Sequence, residues 1–253
     1  MNEKKKLEAV WQYYAVGTAI YIILAVLAAK LMSGASFQIS TGYLTANPLL
    51  SQNSTYFAPA THVLWSIQFR WALVILMALS IVVPAIYIYL INNNFKKIDL
   101  YKYRFIDWTV TGSFMLLLIA VLSGVSDIMT LVLIAGLSVV GYFLFWIIIN
   151  NQLAKKPINQ TVYKIGVLAT VLPWLLIVVY ALGTWVYGAI RMPWYVYVVY
   201  AFGVFNSAVI IYACFWHKTH DSKGSITNET YPILINQGIK ALFVLILIIG
   251  LKR

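Results

Sequence analysis

The stretch ILINQGIKALFVLILIIG, residues 233–250, carries a single charge, Lys240, near its start. A charge at membrane depth costs at least ~2.5–3.5 kcal/mol on insertion scales, so it needs either a partner or a way out. Snorkelling is one way out: Lys240 begins about seven residues, or ~10 Å, inside the apolar run, and its stem nearly covers that distance. An acid at the same depth is the other. Of the 7 acidic residues, Glu3, Glu8, Asp99, Asp221 and Glu229 fall in terminal or loop segments, and Asp127 falls at a junction between apolar runs. Asp107 alone lies well within a run, also ~10 Å from its start. A desolvated lysine can attack an aldehyde to give an imine, and a protonated imine needs a carboxylate counter-ion. A structural salt bridge between helices and a transporter's proton relay are the other chemistries open to such a pair.

The elements that must hold this pair follow from composition. The 253 residues are 62% hydrophobic, 15% aromatic and only 10% charged, with mean hydropathy +0.84. Soluble domains carry about a quarter charged residues, whereas membrane helices need runs of about 20 apolar ones. Seven spans are predicted, at about 9–31, 62–91, 100–124, 127–150, 162–189, 194–217 and 231–251. β-barrel alternation is absent, so the fold class is all-α, one seven-transmembrane helix bundle. Gly112, Gly136, Gly141, Gly166 and Gly203 are small residues inside spans, where helices can approach closely. Pro84 and Pro173 are expected to kink theirs. The lone cysteine, Cys214, excludes an intramolecular disulfide or a cysteine-cluster metal site.

Lys4, Lys5, Lys6, Lys96, Lys97, Lys102, Arg104, Lys155, Lys156, Lys164, Lys218 and Lys223 fall on one side of these spans. Lys30, Arg70, Arg191, Lys252 and Arg253 fall on the other. The positive-inside rule therefore predicts a cytoplasmic N-terminus and an outside C-terminus in a multi-pass cell-membrane protein. The third and seventh spans then both start at the cytoplasmic face, which puts Lys240 and Asp107 at one depth. This asymmetry accounts for the net charge of +11, so the lipid bilayer is the expected partner and nucleic acid is not. The first span exceeds the 7–15 residues of a signal-peptide core and reads as a retained anchor. Residues 32–61 form a long outer connection without a charge between Lys30 and Arg70; alternations such as SFQIS and STYFA suit a short hairpin or an irregular loop.

The run RFIDWTVTGS, residues 104–113, followed by a lysine in the seventh span, is similar to the third-helix pattern of microbial rhodopsins. More narrowly, the chain resembles the heliorhodopsins. YLTANPLL and STYFAPA in the first loop, NNNFKK, SGVSDIMTL, LPWLLIVVY and FGVFNSAVIIY carry that resemblance across nearly the whole chain, and the inverted orientation agrees with it. The resemblance implies retinal, all-trans in the dark, bound as a Schiff base to Lys240 with Asp107 as counter-ion. Arg104 would order charges beside them. Trp108, Thr111, Met115, Gly141, Trp174, Phe202, Phe205 and Asn206 would line the polyene and ring, with Asn236 one turn before the lysine. Helical spacing puts Asp107, Thr111 and Met115 on one face. The sequence departs from the family in three ways: Asp107 replaces a usual Glu, Asn236 a usual Ser, and the histidines of the family's cytoplasmic-side cavity are missing.

Beyond Lys240 the seventh span reads ALFVLILIIG and the third reads FMLLLIAVL, with no acid before Asp127, so no outward proton wire is visible. The expectation is a photoreceptor, not an enzyme, in which light isomerises retinal and drives a conformational signal to a cytoplasmic partner. A light-driven or light-gated ion transporter is the alternative, and a retinal-free structural membrane protein is a third reading. A homodimer is implied by the resemblance alone. His217, His220 and Asp221 read as a solvated loop, not a metal site, and Asn53-Ser54-Thr55 matches a glycosylation acceptor pattern.

Overall fold

The computed structural model describes residues 3–32, 34–46, 57–92, 105–153, 159–188, 191–219 and 227–252. Seven helices among them are long and apolar enough to cross a membrane. They are α1 (Glu3–Leu31), α2 (Phe69–Asn92), α3 (Phe105–Leu122), α4 (Ile128–Leu153), α5 (Gln160–Tyr187), α6 (Trp194–Thr219) and α7 (Thr227–Leu251). Arg104, residues 53–55, His220 and Asp221 lie outside the described residues.

Burial ranks the helices. In α3, 56% of the span is buried, against 28% in α1 and in α5, so α3 is the central column and the others enclose it. α1 packs on α2 and α7, α4 packs on α5, and α3 contacts α2, α4 and α6. Side chains such as Val132, Leu175, Val179 and Ile249 on the outer helices are exposed, as a lipid-facing surface requires.

The connection between α1 and α2 corrects the sequence reading. It is a long antiparallel hairpin, β1 (Ser36–Ala46) paired with β2 (Phe57–Gln68), not a short one. α2 therefore begins at Phe69, and the expected start at 62 was seven residues too early. The segment THVLWSIQ is as apolar as a helix end, and hydropathy averages cannot separate the two; pairing with β1 takes its backbone hydrogen bonds instead. A bulge between Ile39 and Ser40 shifts the register, so that Ile39 faces Trp65 and Ser40 faces Val63. At that bulge the hairpin docks on the α3–α4 junction. The Ser40 amide donates to the Ser126 carbonyl at 2.9 Å and its hydroxyl to the Ser126 hydroxyl at 3.2 Å. At the hairpin's base the Phe69 amide donates to the Ala35 carbonyl, and the Phe37 and Phe69 rings lie 4.9 Å apart.

The α3–α4 junction is itself tightly closed. Gly124 has φ +95°, a left-handed conformation in which a side chain would be strained, and a Cβ there would stand 3.0 Å from Thr184 Oγ1. Asp127 caps α4: its carboxylate accepts from the Thr130 amide at 2.8 Å and from the Thr130 hydroxyl at 2.9 Å. The Thr130 amide foremost, helped by the Thr130 hydroxyl and the Gly42 and Met129 amides, holds this carboxyl below its ordinary range against a smaller opposing effect of burial. Exposed Trp65, Trp71, Trp185, Tyr187 and Trp194 mark the same end of the bundle, as aromatic belts mark a membrane–water interface.

Candidate functional site

α7 carries Lys240 on a face with Asn236, Phe243 and Leu247, at i, i+4, i+7 and i+11, all buried. A run apolar on every side keeps the helix in the bundle, and the buried face turns the lysine toward α3. Lys240 is 2% exposed. Its Nζ donates to both oxygens of Asp107, at 2.7 Å to Oδ1 and 2.6 Å to Oδ2. The snorkelling alternative is thereby overturned: the ammonium points into the bundle, and the third and seventh helices meet at the same depth.

Asp107 is held from two helices. From α7, Asn236 Nδ2 donates to Asp107 Oδ2 at 2.9 Å. From α3, Thr111 Oγ1 lies 3.3 Å from Asp107 Oδ1, within donating distance, and donates more closely, at 2.7 Å, to the Asp107 carbonyl. A carboxylate accepting from an ammonium at both oxygens and from a side-chain amide is well served for a charge inside the bundle.

Immediately after Asp107 the helix changes its winding. Trp108–Gly112 form a π-helical turn, whose amides reach five residues back. Two threonine hydroxyls of this stretch bond carbonyls one turn back, Thr109 to the Phe105 carbonyl and Thr111 to the Asp107 carbonyl, each at 2.7 Å. Thr111 still meets Asp107, its Oγ1 3.3 Å from Oδ1, and Met115 one turn further on is buried. Gly112 fits here because a Cβ would stand 3.0 Å from Tyr142 Oη.

The remaining expected lining residues divide into groups. Met115 is buried in the same packed core as Ile239, Phe243 and Val244 of α7, and Trp174 and Phe202 pack against that core. Asn206 is buried on α6, and its neighbour Ser207 accepts a hydrogen bond from Trp174 Nε1 at 3.0 Å. Trp108 is buried in a different core, with Phe105, Tyr142, Phe145, Ile148, Ile149 and Ile210. Gly141 serves the α4–α5 contact, since a Cβ on it would stand 2.5 Å from Thr170 Oγ1. Phe205 is 54% exposed, so the expectation that it lines the cofactor is corrected: on α6 the inward face runs through Phe202 and Asn206, four residues apart, and Phe205 points outward.

Other residues around the site were not expected there, and Gly203 was expected only as a place of close helix approach. Gly203 makes room for the Trp174 indole, whose Cη2 would be 2.7 Å from a Cβ there. Ser207 fixes that indole. Tyr21 and Gln237 meet between α1 and α7 beside the lysine turn. A glycine and a serine in the FGVFNS run of α6 carried a weak signal; Tyr21, one of three tyrosines in α1, carried none.

Seven apolar helices around one buried lysine–carboxylate pair define a multi-pass membrane protein of the rhodopsin class. The heliorhodopsin family model matches residues 10–236, and the chain belongs to the heliorhodopsin family. Lys240 lies just past the matched segment. No curated protein matches the chain.

Family membership makes the protein a retinal-binding rhodopsin. The residues present suit that cofactor: a fully buried primary amine, a carboxylate against it, and an apolar core of Met115, Ile119, Trp174, Phe202 and Phe243 adjoining it. An aldehyde at the end of a long hydrocarbon matches that donor set and that surrounding.

Proposed function

We propose that Lys240 holds retinal covalently as a protonated imine, that Asp107 is its counter-ion, and that the protein is a light sensor and not a pump. The observation that carries this reading is the ion pair itself: an amine 2% exposed, within 2.7 Å of both oxygens of one carboxylate. Retinal supplies light absorption and isomerisation. Everything else belongs to the chain's own side chains. Asp107 balances the positive nitrogen. Asn236 fixes the carboxylate's orientation from α7, with Thr111 Oγ1 packed 3.3 Å from it on α3. Met115, Trp174, Phe202 and Asn206 would pack along the hydrocarbon and keep water away, with the Trp174 indole held by Ser207.

The sensor reading is supported by what lies beyond the pair. Among the described residues, α3 and α7 present no acidic or histidine side chain from the pair to their far ends, and Ile119, Phe243, Val244 and Leu247 there are buried and apolar. A pump needs titratable stations on both sides of its photoactive nitrogen. A cytoplasmic N-terminus, supported by the lysine and arginine asymmetry, places the hairpin outside. A homodimer and a cytoplasmic signalling partner complete the proposal, which assigns no enzymatic turnover to the chain.

Photocurrent recording on cells expressing the retinal-loaded protein tests the distinction from a transporter. The sensor reading predicts a spectroscopic photocycle without sustained current; a steady light-driven current would replace it with transport.

A further inference from the structure

Tyr21 sits in the middle of α1, where packing in hydrocarbon calls for no hydroxyl, and it is 1% exposed. Its hydroxyl crosses to α7 and donates to the Gln237 carbonyl at 3.2 Å. Helical bonding already gives that carbonyl the amide of Ala241, the residue after Lys240, and a carbonyl's second lone pair can take the tyrosine as well. A phenylalanine would fill the same volume without this bond. Gly17, four residues earlier on the same face of α1, receives the side chain of the same residue: a Cβ there would stand 2.4 Å from Gln237 Oε1 and 2.8 Å from its Cδ. One helix thus grips both the main chain and the side chain of Gln237. The gripped turn is the one that carries Asn236, which bonds Asp107, and Lys240, which pairs with it. Gln237 Nε2 is buried without a hydrogen-bond partner among the described residues, so the carboxamide's seat against Gly17 is a packing choice, made at a cost in unmet hydrogen bonding.

We propose that Tyr21 is a positioning residue for Lys240, fixing the lysine-bearing turn of α7 against α1 through the Gln237 carbonyl. The proposal rests on the reading of Lys240 as the retinal-bearing residue. Its consequence is a closer ion pair than α7 would hold alone. A negative charge held near the imine stabilises the positive charge at that end in the ground state, which widens the excitation gap. Loosening the grip therefore moves absorption to longer wavelength.

The test compares Tyr21→Phe with Tyr200→Phe, which loses a hydroxyl bonded to Ser123 Oγ elsewhere in the bundle. Gln237–Gly238 is the sole Gln–Gly step in the sequence, so carbonyl-¹³C glutamine combined with ¹⁵N glycine isolates its carbonyl in solid-state NMR. In the retinal-free protein that resonance moves upfield in Tyr21→Phe and stays in place in Tyr200→Phe. With retinal supplied, the dark absorption maximum of Tyr21→Phe shifts to the red and that of Tyr200→Phe does not. An unmoved carbonyl resonance, a moved resonance with an unshifted pigment, or an equal red shift in Tyr200→Phe each overturns the proposal. A colourless wild type would instead defeat the retinal reading on which it rests.

Discussion

Replacing Asp107 by Asn removes one negative charge and little else, since the two side chains share a shape. Lys240 Nζ, which stands where the imine nitrogen would be, lies 2.7 Å from Asp107 Oδ1. At that separation and an effective dielectric of about 20, the pair is worth about 6 kcal/mol, or roughly four to five powers of ten in proton affinity. Asn236 and Thr111 are neutral and recover little of it. In Asp107→Asn the protonated, visible-absorbing pigment should thus give way to a deprotonated, near-ultraviolet one at a pH lower by about four units than in the wild type. The assay is a pH series of absorption spectra on purified protein loaded with all-trans retinal. Asp107→Glu, which keeps the charge one methylene further out, should remain coloured near neutrality. An Asn variant whose transition falls within about one unit of the wild type would refute the reasoning, because another group would then supply the counter-charge.

Other perturbations follow from the same geometry. Asn236→Ala loses the 2.9 Å donor to Asp107, concentrates charge on the oxygens facing Lys240, and should shift the visible maximum of the pigment to the blue. Gly141→Ala places a Cβ 2.5 Å from Thr170 Oγ1, a hydroxyl already committed to the Gly166 carbonyl at 2.9 Å. Overpacking of this kind costs ~1–3 kcal/mol, so the melting temperature in detergent should fall, whereas Gly136→Ala should leave it unchanged. A Cβ at Gly136 meets nothing within 4 Å. Asp127→Ala removes the α4 cap, worth about 1 kcal/mol, and should raise hydrogen exchange at the amides of Ser40 and Gly42. Because the Asp127 carboxyl is held below its ordinary range, its contribution is present above the unfolded value and lost as pH falls through the folded one. Protection of those two amides relative to intrinsic exchange should therefore fall below about pH 4 in the wild type and be independent of pH there in the variant.

Helix count and the lysine–aspartate meeting were legible because both rest on long-range averages. Runs of about 20 apolar residues identify spans whatever their neighbours, and two charges equally deep from one face have few partners but each other. What hydropathy could not separate was strand from helix at 62–68, where pairing with Ser36–Ala46 decides the backbone. The π-turn at Trp108–Gly112 is a local change of winding that no apolar periodicity reports. The resemblance implied an inward Phe205, but a one-residue step from buried Asn206 turns a side chain by about 100°, and Phe205 is exposed. Tyr21 and Gln237 were invisible because their contact joins the first and last helices through a backbone carbonyl.

The site of retinal attachment decides the function proposed for this protein. The most direct measurement is borohydride reduction of the retinal-loaded protein, followed by peptide mass mapping of the adduct. The expected result is a single retinyl adduct on Lys240, absent from Lys240→Ala, together with a visible band in the wild type that hydroxylamine bleaches under light. An adduct on another lysine, or a wild type that stays colourless with retinal supplied, would contradict it.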